Sequence, residues 1–70
     1  MTEGSTVHYV PPSPAAPVAW HILAVRHEHA MIRWWRGGAG PDAWAYGVKS
    51  VASLRALVRE GSAFVTRTGG

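Results

Sequence analysis

Residues 24–35, AVRHEHAMIRWW, decide the fold, because they have the pattern of a strand end, a turn and a second strand. The residues before the turn, 18–26 (VAWHILAVR), are rich in β-branched and aromatic side chains. The residues after it, 30–36 (AMIRWWR), continue the same pattern. We therefore predict an antiparallel hairpin connected at His27-Glu28-His29.

Side chains alternate along a strand, so Val18, Trp20, Ile22 and Ala24 are expected on one face of the first strand. For the same reason the neighbouring Trp34 and Trp35 must face opposite sides of the sheet. We expect Trp34 to pack under a helix and Trp35 to point outward.

Downstream of the hairpin, a glycine-rich loop at 37–42 precedes a third short strand at 43–48, in which Gly47 weakens the strand or marks a bulge. Residues 50–60 have apolar positions at helical spacing, with Ser50 as N-cap and Gly61 as the residue that ends the helix. A last strand is predicted at 63–68. The fold class is α+β: a small, mostly antiparallel sheet of three to four strands with one helix on one face, in the order β-β-β-α-β.

The chain of 70 residues is predicted to form a single domain at 18–68, followed by the tail Gly69-Gly70. Residues 1–17 (MTEGSTVHYVPPSPAAP) are interpreted as a flexible proline-rich N-terminal arm. Two alternatives are a PxxP-type ligand in the arm and a short strand at 7–10 that joins a sheet edge.

Composition limits the classes of function. The chain has no cysteine, which excludes disulfides and thiolate metal sites and fits a reducing compartment. The net charge is +3, and arginine outnumbers lysine six to one. No run approaches the roughly 20 apolar residues of a membrane span, and no secretory signal is recognisable, so we predict a cytoplasmic protein.

Tryptophan, tyrosine and arginine are the residue types enriched at interface hot spots. The leading hypothesis is therefore a non-enzymatic module that binds a macromolecule, most simply a protein with an acidic surface, and that needs no cofactor. Such a module would act as a regulator or as a phage-type inhibitor of a host protein. Exposed sheet edges also invite strand addition and a weak homodimer. The candidate partner-binding residues are Arg26, Arg33, Trp35, Arg36, Trp44 and Tyr46.

Two other kinds of binding remain open. A basic sheet face with aromatic side chains is typical of proteins that stack single-stranded nucleic acid on their rings. The Gly69-Gly70 ending is shared with ubiquitin-like modifiers and sulfur carriers. Those folds place the main helix after the first hairpin, which differs from the order predicted here.

Metal binding and hydrolysis are weaker hypotheses. His27 and His29 share one face of an extended chain, and His21 on the partner strand would complete a three-imidazole set for zinc or nickel. The simpler interpretation is that these histidines cap the hairpin through backbone hydrogen bonds. No serine or carboxylate stands in a pattern that would position a nucleophile, so we expect no enzyme activity.

The same segments resemble a family of short bacterial and phage domains of unknown function. Members have a strand ending in Val-Arg, a His-Glu-His-Ile turn, a tryptophan segment, a capped helix and a final strand with an aromatic-x-Val pattern. This chain differs where Ala30 replaces the isoleucine and where its glycine loop is longer. The resemblance implies the fold and assigns no activity. The matching residues here are Ala24-Val25-Arg26, His27-Glu28-His29, 32–35, 50–61 (with Leu57-Val58) and Phe64-Val65.

Overall fold

The computed structural model describes residues 1–67, which form one five-stranded sheet and one helix. All strand pairs are antiparallel, and the spatial order is β4-β3-β2-β1-β5. The predicted α+β class is confirmed, with the chain order β-β-β-β-α-β. The elements are β1 (Ser5–Tyr9), β2 (Val18–Arg26), β3 (His29–Trp35), a 3-10 turn (Pro41–Ala43), β4 (Trp44–Ser50), α1 (Val51–Arg59) and β5 (Ala63–Arg67).

The N-terminal segment departs from the prediction. The flexible-arm interpretation of residues 1–17 is wrong for Ser5–Tyr9, which form β1, and so the sheet includes residues that precede position 18. β1 is an interior strand rather than an edge strand, since it pairs with both β2 and β5. Val7 explains this position: its side chain is fully buried, opposite Trp20 on one side and Val65 on the other. Burial of Val7 outweighs the proline-rich composition of the segment that follows.

The predicted β2–β3 hairpin is present with a tighter connection. His27 and Glu28 alone form the turn, with φ of 51° and 63°, and His29 already belongs to β3. A two-residue turn with both φ values positive matches the right-handed twist of the flanking strands. A bulge between Ile22 and Ala24 sets Ala24 opposite Met31. The prediction that Ala24 shares a face with Ile22 is therefore wrong, because the extra residue reverses the alternation.

This turn leads to the first testable prediction. Replacing Glu28 with glycine is expected to raise the free energy of unfolding by about 0.5–1 kcal/mol, because the left-handed backbone disfavours a Cβ. The matched control is Glu28→Ala, which also removes the carboxylate but keeps the Cβ and should bring no such gain. Urea unfolding measures both. An equal gain in the two variants would mean that charge, and not backbone conformation, matters at this exposed turn.

The core lies between α1 and one face of the sheet. Val7, Ile22 and Ile32 supply its centre from three adjacent strands, and Leu54 covers them from the helix. α1 starts and ends as predicted. The Ser50 side chain accepts a hydrogen bond from the Ser53 backbone N–H at 3.0 Å, and Gly61 follows the helix with φ of 83°.

The predicted orientation of the two tryptophans is confirmed. Trp34 packs against the core, and a Cβ added to Gly47 would lie 3.3 Å from its ring. Gly47 therefore makes room for Trp34 and does not mark a bulge, since β4 pairs with β3 in continuous register. Trp35 lies on the opposite side of the sheet, and 58% of its surface is exposed. Within residues 1–67, no helix is long and apolar enough to cross a membrane.

Candidate binding surface on the open face of the sheet

The sheet surface opposite α1, here called the open face, has a polar row that crosses all five strands. Neighbouring strands are paired so that the members of this row lie directly opposite one another. Directly opposed side chains lie about 4.5–5.5 Å apart at their Cβ atoms. The row therefore forms one continuous strip of polar groups. From β4 to β5 it consists of Tyr46, Arg33, His21, Thr6 and Thr66.

Hydrogen bonds between neighbouring strands hold the imidazole rings in this region. His21 Nδ1 lies 3.1 Å from Thr6 Oγ1, and His8 Nε2 lies 2.8 Å from Thr66 Oγ1. The His8 ring also stacks on Phe64, with 4.7 Å between the ring centroids. Each ring is thus held by a threonine of the neighbouring strand, which gives the middle of the face a defined arrangement of polar groups.

Arg33 is the arginine of the polar row. Its guanidinium carbon lies 4.4 Å from the centroid of the Trp44 ring, and the His21 ring meets the same tryptophan edge-on at 5.8 Å. Such a cation–π contact contributes about 0.5–2 kcal/mol, depending on how far it is desolvated. Arg33 Nε is buried without a hydrogen-bond partner among the described residues. The side chain is thus oriented by stacking on the Trp44 ring.

Large apolar side chains flank the polar row and stay accessible to solvent. Trp35 lies opposite Trp44, and its Nε1–H donates to the Gly38 carbonyl at 3.3 Å, so the ring is held at the sheet end of the glycine loop. An exposed apolar surface of this kind, interrupted by a few oriented polar groups, is typical of an interaction site. The exposed large apolar residues beside the row are Met31, Trp35, Val48 and Phe64, and the ring of Tyr46, within the row, is exposed as well.

The charged residues of the strands are all positive. The strands contain four cationic residues and no aspartate or glutamate. All four carboxylate side chains of the chain lie in the connections and at the ends of elements, at Glu3, Glu28, Asp42 and Glu60. An anionic partner on the open face would therefore meet arginine without competition from a carboxylate of the same strands. The cationic residues of the strands are Arg26, Arg33, Lys49 and Arg67.

The structure brings together four of the six predicted partner-binding residues: Arg33, Trp35, Trp44 and Tyr46. The other two lie apart from this cluster. Arg26 is exposed at the turn end of β2, opposite His29. Arg36 follows the end of β3, where its backbone N–H donates to the Ala43 carbonyl at 2.7 Å.

Sequence reasoning missed the contribution of the other end of the sheet. His8 and Phe64 lie on the open face beside Thr6 and Thr66, whereas the sequence favours a flexible arm for residues 1–17, with a short edge strand at 7–10 as an alternative. One local signal is present in the sequence, because Val7 and Tyr9 alternate with the polar residues Thr6 and His8. The prolines that follow them obscured this pattern.

The three-histidine metal hypothesis is not supported by the geometry. His21 is engaged with Thr6 on the open face, whereas His27 is in the turn and its carbonyl oxygen lies 2.9 Å from His29 Nδ1. In the part of the chain that the structure describes, no group of three or more histidine, aspartate or glutamate side chains could hold a metal ion. The hairpin interpretation fits His29, which bonds to the backbone of the turn. The Gly69-Gly70 tail lies outside the described residues.

Comparison of the chain with models of protein families, with curated proteins and with solved structures finds no match. Function is therefore inferred from the chemistry of the open face. That face combines an arginine stacked on tryptophan, exposed aromatic rings and strands free of carboxylates.

Proposed function

We propose that this chain is a small, non-enzymatic binding module that uses the open face to bind a protein with an acidic surface. The observation that supports this most directly is the Arg33–Trp44 pair, which lies among exposed apolar rings on strands without a carboxylate. Tryptophan, tyrosine and arginine are the residue types that most often dominate the energy of protein interfaces.

The arrangement of Arg33 suits it to a carboxylate. Stacking uses the flat face of the guanidinium, and the in-plane N–H groups are the ones that bind a carboxylate in a fork. Because Trp44 already restricts the side chain, less conformational entropy is lost when a partner binds. Trp35, two residues further along β3, and Tyr46, directly opposite on β4, would exclude water from that contact.

A second candidate is single-stranded nucleic acid. The observation that favours it is the position of aromatic rings at both ends of the sheet, Trp35 and Tyr46 at one end and Phe64 at the other. Bases stack on such rings with about 1–3 kcal/mol each, whatever their sequence. An acidic protein is preferred because the strands supply only four cations, which is few for a phosphate backbone.

The wider role is part of the same proposal. A domain of this size that binds without a cofactor would act as a regulator, or as a phage-type inhibitor of a host protein, in the cytoplasm. The absence of cysteine supports a reducing compartment. The position of α1 after four strands gives no support to the ubiquitin-like alternative, whose main helix follows the first hairpin.

The test is affinity capture with the tagged full chain from a lysate of its source, in nuclease-treated and untreated halves. The matched variant is Arg33→Met, which keeps much of the side-chain volume but removes the charge. We expect one protein in stoichiometric amount, with and without nuclease, and its loss with Arg33→Met. Direct titration of that purified protein should show affinity that falls as salt is raised.

Three outcomes would contradict the proposal. One is the absence of any specifically bound protein, and another is a partner that Arg33→Met retains fully. The third is loss of all captured proteins on nuclease treatment. If a labelled single-stranded oligonucleotide then binds the purified chain, with the steep salt dependence of phosphate contacts, the second candidate replaces the first.

A further inference from the structure

The outer edge of β4 lacks the features that usually keep an edge strand unpaired. β4 is seven residues long and is hydrogen-bonded within the sheet to β3 alone. It contains no proline and no carboxylate, and its register with β3 has no bulge. Natural sheets protect such edges with prolines, bulges, charges or a covering element, because unpaired N–H and C=O groups recruit another strand.

Lys49 is the only charged residue in β4, and it does not protect the edge. Its Nζ lies 4.6 Å from the centroid of the Trp20 ring, which belongs to β2. The lysine side chain therefore reaches inward across the sheet instead of outward into solvent. The segment that remains at the edge, residues 44–48, is uncharged.

The other edge of the sheet is better protected. β5 has only five residues and ends at the exposed Arg67. The helix α1 contacts β5 and β4, and it runs from the end of β4 across the sheet toward β5. The helix thus carries the chain from the β4 edge to the opposite edge of the sheet.

We infer that β4 pairs antiparallel with β4 of a second copy of this chain. A two-fold axis at Gly47 places Tyr46 of each copy beside Val48 of the other copy. These residues are 64% and 61% exposed in the single chain, so the pairing would cover apolar surface on both sides of the axis. In this register Lys49 lies opposite Ala45 of the second copy, and no like charges meet.

The β4 strand of a second copy pairs with this edge better than an unrelated strand does, because β4 is complementary to itself. Length, register and the absence of charge at residues 44–48 match by symmetry, and a two-fold interface closes after two copies. The axis is perpendicular to the sheet, so both open faces point the same way and join into one surface. The inference stands apart from the proposed function, since it depends on the β4 edge and not on the partner of the open face.

The test is sedimentation equilibrium of the untagged full chain at concentrations from roughly 10 μM to roughly 1 mM. A pair of single strands buries less than the roughly 1,000 Å² of a stable interface, so the expected dimer is weak. The weight-average mass should rise from 7.5 kDa toward twice that value as concentration increases. Backbone amides of residues 44–48 should exchange more slowly at the high concentration.

The edge variant is Val48→Lys, and the matched control on the same face is Phe64→Lys, at the opposite edge. Val48→Lys is expected to weaken association at least about tenfold, whereas Phe64→Lys should leave it within about threefold. Tyr46→Lys is a second edge variant and covers the case in which Val48→Lys does not fold. A chain that stays at 7.5 kDa over the whole range would overturn the inference. Equal losses at Phe64 and Val48 would also overturn it, because they would indicate contact through the open face or β5.

Discussion

Ile32→Ala is expected to remove much of the free energy of unfolding of this domain. The Ile32 side chain is 1% exposed and lies at the centre of the sheet, opposite Ile22 on one side and Gly47 on the other. Truncation of such a residue to alanine costs about 2–5 kcal/mol, because it removes apolar contacts and leaves a cavity. A domain of this size has a free energy of unfolding of only about 5 kcal/mol, so one substitution removes much of it.

Two controls make this result interpretable. Ile32→Val keeps the shape of the side chain and should cost about 0.5–1.5 kcal/mol. Met31→Ala changes the neighbouring residue, which faces the open side and is half exposed, and should cost less than about 1 kcal/mol. Urea unfolding followed by tryptophan fluorescence measures all three. Similar losses at positions 31 and 32 would contradict the division into a core face and an open face.

The pair Trp34→Ala and Trp35→Ala is expected to separate stability from binding. Trp34 packs against the core beside Gly47, so its removal should cost about 2–4 kcal/mol of stability. Trp35 is 58% exposed, so its removal should change stability by less than about 1 kcal/mol. Loss of an aromatic hot spot weakens binding by about 2 kcal/mol or more, which is roughly thirtyfold or more in the dissociation constant.

The measurement combines urea unfolding of both variants with titration of Trp35→Ala against the partner identified by capture. Trp35→Phe serves as the conservative control, since it keeps an aromatic ring but loses the Nε1–H that donates to Gly38. We expect it to bind between the wild type and the alanine variant. Unchanged binding by a folded Trp35→Ala chain would remove Trp35 from the binding surface, whatever the partner is.

The proposed binding surface on the open face and the proposed dimer contact at the β4 edge share residues. Tyr46 and Val48 belong to the open face and also border the β4 edge. Pairing of two chains would therefore extend the binding surface across the dimer. A partner with two acidic sites would then be bound more tightly by the dimer than by a single chain.

Local patterns in the sequence were sufficient for three features of the structure. The hairpin from β2 to β3, the helix capped by Ser50 and ended by Gly61, and the opposite orientations of Trp34 and Trp35 were all predictable. Each depends on interactions or alternation within a few residues, which strand and helix geometry makes regular. The clustering of Arg33, Trp35, Trp44 and Tyr46 was predictable as well, because these residues lie in the adjacent strands β3 and β4.

Longer-range features were not predictable in this way. The bulge at Ile22–Ala24 inserts one residue into β2, and alternation alone does not show where an insertion falls. The stability of the His27-Glu28 turn likewise depends on the strands that it joins, because both residues hold a backbone conformation that neither prefers.

The sequence by itself determined the α+β class, the hairpin, the capped helix and the outward tryptophan, because short-range periodicity and capping specify them. Only the tertiary structure decided that β1 lies between β2 and β5, and that His8 and Phe64 share a face with Arg33 and Trp44. The physical reason is distance along the chain: His8 and Thr66 are 58 positions apart and come together only when the whole sheet forms. Burial of Val7 stabilises that pairing, and the local alternation of residues 6–9 does not show which strands β1 pairs with.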